Sequence, residues 1–311
     1  MNIGNEHGIP LWTDDVWIVG YSKEIKVRVY EPQSGGAKLP LVIFFHGGGF
    51  ISGSVDDSEL TATAIAQRIP ALVMSVGYSL APEFPIPAAL EDGYLALAWA
   101  VQNSKTLGIT PAGLGVAGYE AGGNLATCLS ALVRDRGEFK LSAQVLLAPL
   151  LDPSMTLISE SRVSSSADPE SSNWSRQYRA YLPDVRHRMH PYAAPLVSVR
   201  LGGLAPAFIA TVKNDVLRIE AERYATRLIA AGVPTAVNRY EQEFHPSTVT
   251  GEQVFGDIAG GLKCELQHLS RLSSDGDWSQ TKKCHWLVPK RKQMSPVVCC
   301  VMCEPKVFSA I

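Results

Sequence analysis

Two rhythms of hydrophobic and polar positions alternate along the first 250 residues of this 311-residue chain. Residues 16–31 alternate in the manner of two strands joined as a hairpin. Leu39–Phe45 is a continuous apolar run, the pattern of a strand buried on both faces of a mostly parallel sheet. Residues 59–68 predict a helix, and 71–77 predict the next buried strand. A long helix is expected over 87–104, opened by Pro87, with Leu90, Tyr94, Leu97, Ala98 and Val101 on one face. A short apolar run (Leu114, Val116, Ala117) follows, then a helix and a buried strand at 143–147. A strand at 207–212, an amphipathic helix at 219–231, a strand near 233–240 and a last helix within 252–270 complete the series. Alternation of this kind predicts an α/β fold, with a mostly parallel central sheet and helices on both faces.

Two segments break the rhythm. Residues 153–200 are rich in Ser, Arg and Pro and are expected to form a small cap inserted over a pocket. From about 271 onward no periodicity fits the domain. The expected organisation is one domain over 1–270 and an atypical, disordered tail over 271–311.

A hydrophobic content of 46% suits a chain with a substantial core, and a formal net charge of -2 gives no reason to expect nucleic acid as a partner. The first residues lack a basic region followed by an apolar run, and the longest apolar stretch, near 145–151, is too short to span a bilayer. The expectation is a soluble cytoplasmic protein. Cysteine usage is uneven: Cys128 stands alone in the first 263 residues, while Cys264, Cys284, Cys299, Cys300 and Cys303 crowd the end. The pair Cys300 and Cys303 has a metal-ligand spacing, but Cys284-His285 gives it no regular second half. Neither a metal nor a cofactor is expected.

The chemistry gathers around Gly118-Tyr119-Glu120-Ala121-Gly122-Gly123, between an apolar run and a helix. A strand turning sharply into a helix between glycines is the backbone of a nucleophile elbow, and the glycines are required because the turn leaves no room for a Cβ on either side. The usual middle residue is serine; here it is Glu120. His46-Gly47-Gly48-Gly49-Phe50 follows the first buried strand, where glycine N–H groups are placed to hold a developing oxyanion. Asp215 follows the strand at 207–212 and His245 follows the last strand, so elbow, acid and histidine come in the order of an α/β-hydrolase.

These motifs, with Tyr78-Ser-Leu-Ala-Pro-Glu-Phe-Pro-Ile-Pro-Ala, His190-Pro-Tyr-Ala-Ala-Pro-Leu and Asp215-Val-Leu-Arg, span roughly residues 15–250, and the chain resembles the hormone-sensitive-lipase-type α/β-hydrolases. That family consists mostly of carboxylesterases and acetyl hydrolases. The resemblance implies an eight-stranded, mostly parallel sheet, a helical cap and a pocket for small apolar or acyl esters. It implies Gly48, Gly49 and the N–H of Ala121 as oxyanion donors, and Asp215 and His245 as acid and base. The implied partner is a small ester or apolar ligand, without nucleic acid or a membrane span, and a homodimer is left open. This chain departs from the family at the elbow, where Tyr119-Glu120 replaces Asp-Ser, and at Pro246, where glycine is common.

Glu120 cannot act as a serine does, because attack by a carboxylate on an ester carbonyl gives an anhydride. Three readings stay open. Glu120 attacks an sp³ carbon, although its extra methylene over aspartate displaces the carboxylate by about 1.5 Å. Alternatively Glu120 or His245 serves as general base on a water, so that any hydrolysis is carboxylate- or water-based. In the third, Glu120 pairs with protonated His245 and the protein is a pseudoenzyme that binds a small apolar ligand. Ser52, Ser54 and Ser79 are the nearest alcohols in sequence, and none sits on an elbow. His46 is expected to shape its loop, Asp92 to be a helix-face carboxylate, and Glu83 to pair with a cation.

Overall fold

The computed structural model describes residues 9–33, 35–160, 169–241, 254–257 and 260. Eight strands form one sheet: β1 (Leu11–Val19), β2 (Glu24–Pro32), β3 (Leu39–Phe45), β4 (Leu72–Val76), β5 (Ile109–Tyr119), β6 (Ala143–Leu147), β7 (Ala207–Val212) and β8 (Thr235–Tyr240). Their spatial order is β1-β2-β4-β3-β5-β6-β7-β8. The two contacts made by β2 are antiparallel and every later pairing is parallel.

The helices are α1 (Glu59–Arg68), α2 (Ala88–Gln102), α3 (Ala121–Arg136), α4 (Thr156–Glu160), α5 (Pro169–Tyr181) and α6 (Arg218–Ala230). Alternation along β3 shows how the sheet sorts them. Leu41, Ile43 and Phe45 face a core shared with α2, α3, α5 and α6, whereas Val42 and Phe44 face a second core under α1 that also takes Val254 and Phe255. Successive side chains of a strand point to opposite faces, so an unbroken apolar run is what a doubly covered strand requires.

The connections locate the site. From β3 the chain passes to β4 on one side, and β5 lies on the other, so the strand order reverses at β3. In open α/β sheets the crevice outside the carboxyl ends of the strands at such a reversal is where ligands bind. The loop after β3 and the turn after β5 meet there, since Phe45 pairs with Gly118.

The architecture expected from the hydrophobic pattern is present, with shifted edges. The hairpin strand begins at Leu11 rather than near 16. Pro87 caps α2 instead of occupying its first turn. The segment 153–200 holds α4, α5 and a 3-10 turn at Val185–Met189, inserted between β6 and β7. The tail from 271 and its cysteines lie outside the described residues, as does most of the helix expected at 252–270. Among the described residues, no helix is long and apolar enough to cross a membrane.

Candidate active site

Glu120 stands between β5 and α3 with φ 53° and ψ -112°. A non-glycine residue held there is strained, and the surroundings must over-determine it. They do. Glu120 N–H donates to the Leu147 carbonyl at 2.9 Å, and its own carbonyl accepts from Asn124 and Leu150 N–H. A Cβ on Gly118 would lie 2.1 Å from the Gly122 carbonyl oxygen, and one on Gly122 would lie 2.1 Å from that of Phe45. The two glycines exist so that this turn can close. Asn124 extends the clamp, donating from Nδ2 to the carbonyls of Leu150 (2.8 Å) and Ala193 (3.2 Å). Two sequence motifs, Gly-Gly-Asn and His190–Leu196, are thereby joined.

The Glu120 side chain turns into the glycine loop after β3. Its Oε2 accepts from Gly48 N–H at 2.7 Å and from Gly49 N–H at 3.3 Å. Both glycines have positive φ, 104° and 60°, which aims their amides inward. On its other side, Oε1 accepts from the Trp174 indole N–H at 3.0 Å. The carboxylate is therefore held by donors from two separate parts of the chain, the glycine loop and α5.

Helix α5 is what covers the loop. Trp174, Gln177, Tyr178 and Tyr181 fall at spacings of three and four, one face of a helix, and all are buried. Tyr181 stacks on Phe50 with centroids 4.1 Å apart and planes 3° apart, and Tyr178 meets the same ring at 5.5 Å. Gln177 presses on the loop so closely that a Cβ on Gly49 would lie 2.0 Å from its amide.

His46 supports the loop from beneath. It is buried, stacks on Tyr78 at 4.2 Å, and its Nδ1 lies 2.7 Å from the Gly47 carbonyl. Burial pulls its pKa down to about 4, so the ring is neutral and Nδ1 carries the proton it donates to that carbonyl. A shaping role fits; a reactive one does not. Tyr119 packs its ring against Gly47, where a Cβ would lie 2.8 Å from Cδ1.

Asp92 is a brace. Fully buried on α2, it accepts from Ser79 N–H (2.8 Å) and Tyr21 N–H (2.7 Å), fixing the loop after β4 to the β1–β2 turn. Asp92→Ala removes the acceptor from both amides and is expected to cost roughly 2–4 kcal/mol in urea unfolding. An unchanged midpoint would deny the brace. Glu83 is exposed and makes no ion pair with any described residue. The three alcohols are engaged elsewhere or enclosed. Ser52 Oγ donates to the Gly48 carbonyl, Ser54 donates to Asp57, and Ser79 Oγ is buried without a partner among the described residues.

Of the six residues expected at the site, Glu120, Gly48 and Gly49 come together. Ala121 is the buried first residue of α3 and is not among the donors to the Glu120 carboxylate. Asp215 follows the carboxyl end of β7, two strands from β5, and its Oδ1 accepts from Leu217 N–H at 2.8 Å. His245 lies outside the described residues.

Two groups escaped sequence reasoning. Trp174 lay in the arrhythmic segment, although the spacing of Trp174, Gln177, Tyr178 and Tyr181 carries a helical stripe. Glu220 lies on the buried stripe of α6 with Ala221, Tyr224, Ala225 and Leu228. Its Oε2 accepts from Leu151 and Asp152 N–H, and Oε1 has no partner among the described residues. Burial raises its pKa to about 8, and the nearby carboxylates Asp152 and Asp215 push the same way against those two amide bonds.

Comparison with known proteins places the chain. The model of a family described as having the alpha/beta hydrolase fold matches residues 42–248. Carboxylesterase NlhH of Mycobacterium tuberculosis is 37% identical over 236 residues, covering 71% of this chain and 73% of that protein. An arylesterase of Saccharolobus solfataricus is 34% identical over 258 residues, covering 81% and 83%. Among solved structures, the thermostable carboxylesterase EstE1, cloned from a metagenomic library, superposes with a TM-score of 0.73 at 33% identity over 82% of this chain and 90% of that one. The chain belongs to the α/β-hydrolase family of hormone-sensitive-lipase type, in the carboxylesterase lineage.

Proposed function

We propose that Glu120 occupies the position of the catalytic serine and shuts the site, so that this chain is a pseudoenzyme of the carboxylesterase lineage that binds a small apolar or acyl ligand without hydrolysing it. The observation that carries this reading is the seat of the carboxylate. Gly48 and Gly49 N–H, the groups that would stabilise an oxyanion, already bond Glu120 Oε2. An ester carbonyl has to reach donors 2.7–3.1 Å away to be activated, and here a negative group of the protein stands in that place.

The carboxylate- and water-based alternatives have less support. A general base needs a water between itself and the carbonyl that the glycine loop polarises. With Oε2 bonded directly to Gly48 N–H at 2.7 Å, the base and the would-be oxyanion compete for one position. Attack on an sp³ carbon would have to break the bonds to both Gly48 and Trp174 first. Asp215 and His245 would be the surviving acid and base of the lineage, and Ala121 N–H a third donor, none of them used while Glu120 stays seated.

The test is turnover of p-nitrophenyl acetate and butyrate by the unaltered chain. Rates at buffer background are expected, and Glu120→Gln is expected to change nothing. Turnover that Glu120→Gln abolishes would make Glu120 a working carboxylate and end the pseudoenzyme reading.

A further inference from the structure

We propose that Gly48 N–H, Gly49 N–H and the Trp174 indole N–H form a two-sided receptor for a monocarboxylate, and that Glu120 is its resident ligand. This deepens the shut-site reading and rests on it for the identity of the occupant. The ligand class follows from how the donors are divided. Two amides converge on one oxygen, and the indole, from a different element, takes the other. A carboxylate offers two equivalent, strongly accepting oxygens. An ester offers one good acceptor, the carbonyl oxygen, beside an alkoxy oxygen that accepts weakly. A clamp that reads both oxygens therefore distinguishes an acid from an ester. Charge-assisted N–H bonds of this sort are roughly twice as strong as neutral ones.

Trp174 is the positioning element of this receptor. It stands on α5, and the aromatic stack of Tyr181 on Phe50 fixes that helix against the glycine loop. Gln177, one turn further along, lies against Gly49 with a buried amide oxygen that has no hydrogen-bond partner among the described residues. A polar group enclosed without a partner is costly. That oxygen can only accept, so it marks a place where an acid bearing a hydroxyl or amine donor beside its carboxylate would find a further contact.

The test withdraws the tethered ligand and offers a free one. Glu120→Gly empties the clamp, and glycine accepts the positive φ without strain. The variant is melted in sodium acetate and in sodium propionate, against sodium chloride at equal ionic strength. Carboxylate at about 100 times its dissociation constant is expected to raise the melting temperature by roughly 5–10 °C over chloride. The unaltered chain, its clamp filled by a tethered group, is expected to show no difference between the salts. Adding Trp174→Phe to Glu120→Gly is expected to abolish the response while leaving the chain folded. Glu120→Ser gives a second background should the glycine variant fail to fold. Equal melting in acetate and chloride overturns the receptor, and a response that survives Trp174→Phe overturns the two-sided clamp. Neither result depends on ester turnover, so failure of the receptor is distinguishable from failure of the shut-site reading.

Discussion

Glu120→Ser is expected to raise p-nitrophenyl butyrate turnover over that of the unaltered chain by about 10³-fold or more. The substitution does two things at once. It places an alcohol on the strained turn, where φ 53° and ψ -112° hold the side chain out from the sheet. It also withdraws the carboxylate from Gly48 and Gly49, returning their N–H groups to an incoming carbonyl. Oxyanion donors alone are worth roughly 10²–10³ each in comparable sites, and the nucleophile more. With His245 as the proposed base, the rate gained should fall back when His245→Ala is added. Glu120→Gln serves as the contrast: an amide brings no alcohol, and its bulk still fills the hole. A serine variant as inactive as the original would show that the remaining machinery has decayed beyond the elbow.

The second large effect is on stability and comes from Glu220. Its pKa is raised from 4.5 to about 8 in the folded chain, first by burial and then by Asp152 and Asp215. Between those values the folded state holds a proton that the unfolded state has released. The number of protons bound is larger in the native state, so unfolding free energy falls as pH rises through this window. Stability from this group is thus fully present below about pH 4.5 and lost by about pH 8. A shift of this size corresponds to a few kcal/mol. Glu220→Gln keeps the shape and an acceptor for the Leu151 and Asp152 amides while removing the titration. In urea unfolding at pH 5 and pH 9, the variant is expected to gain on the original by roughly 2–4 kcal/mol between the two. Parallel behaviour at both pH values would mean that Glu220 is not protonated in the folded chain.

Much of this was readable from residue order because the constraints are local. The run Leu39–Phe45 declares a strand covered on both faces, and the two glycines around Glu120 declare a turn without room for a Cβ. Both appear in the fold, and Phe45 carbonyl oxygen is the atom that a Cβ on Gly122 would meet. What stayed hidden depends on contacts between distant segments. No periodicity tells that Trp174 reaches Glu120, 54 residues away, because the pairing depends on how the insertion after β6 folds back over the loop after β3. Glu220 was hidden for the opposite reason. A glutamate in the first turn of a helix ordinarily faces water and favours the helix dipole, and only its register with Tyr224 and Leu228 betrays burial. Glu120 itself was visible as a departure, but its effect was not. Sequence left three chemical roles open, and the proposed one rests on where that side chain is seated.

That direction is what deserves the most direct measurement. Amide proton resonances of Gly48 and Gly49, together with the Trp174 indole proton, report their acceptor in an ¹H–¹⁵N spectrum. With the carboxylate seated between them, the Gly48 amide and the Trp174 indole are predicted to resonate well downfield and to move upfield together in Glu120→Ser. Resonances that stay in place when the carboxylate is removed would contradict the shut site, since the two donors would then never have been bonded to Glu120.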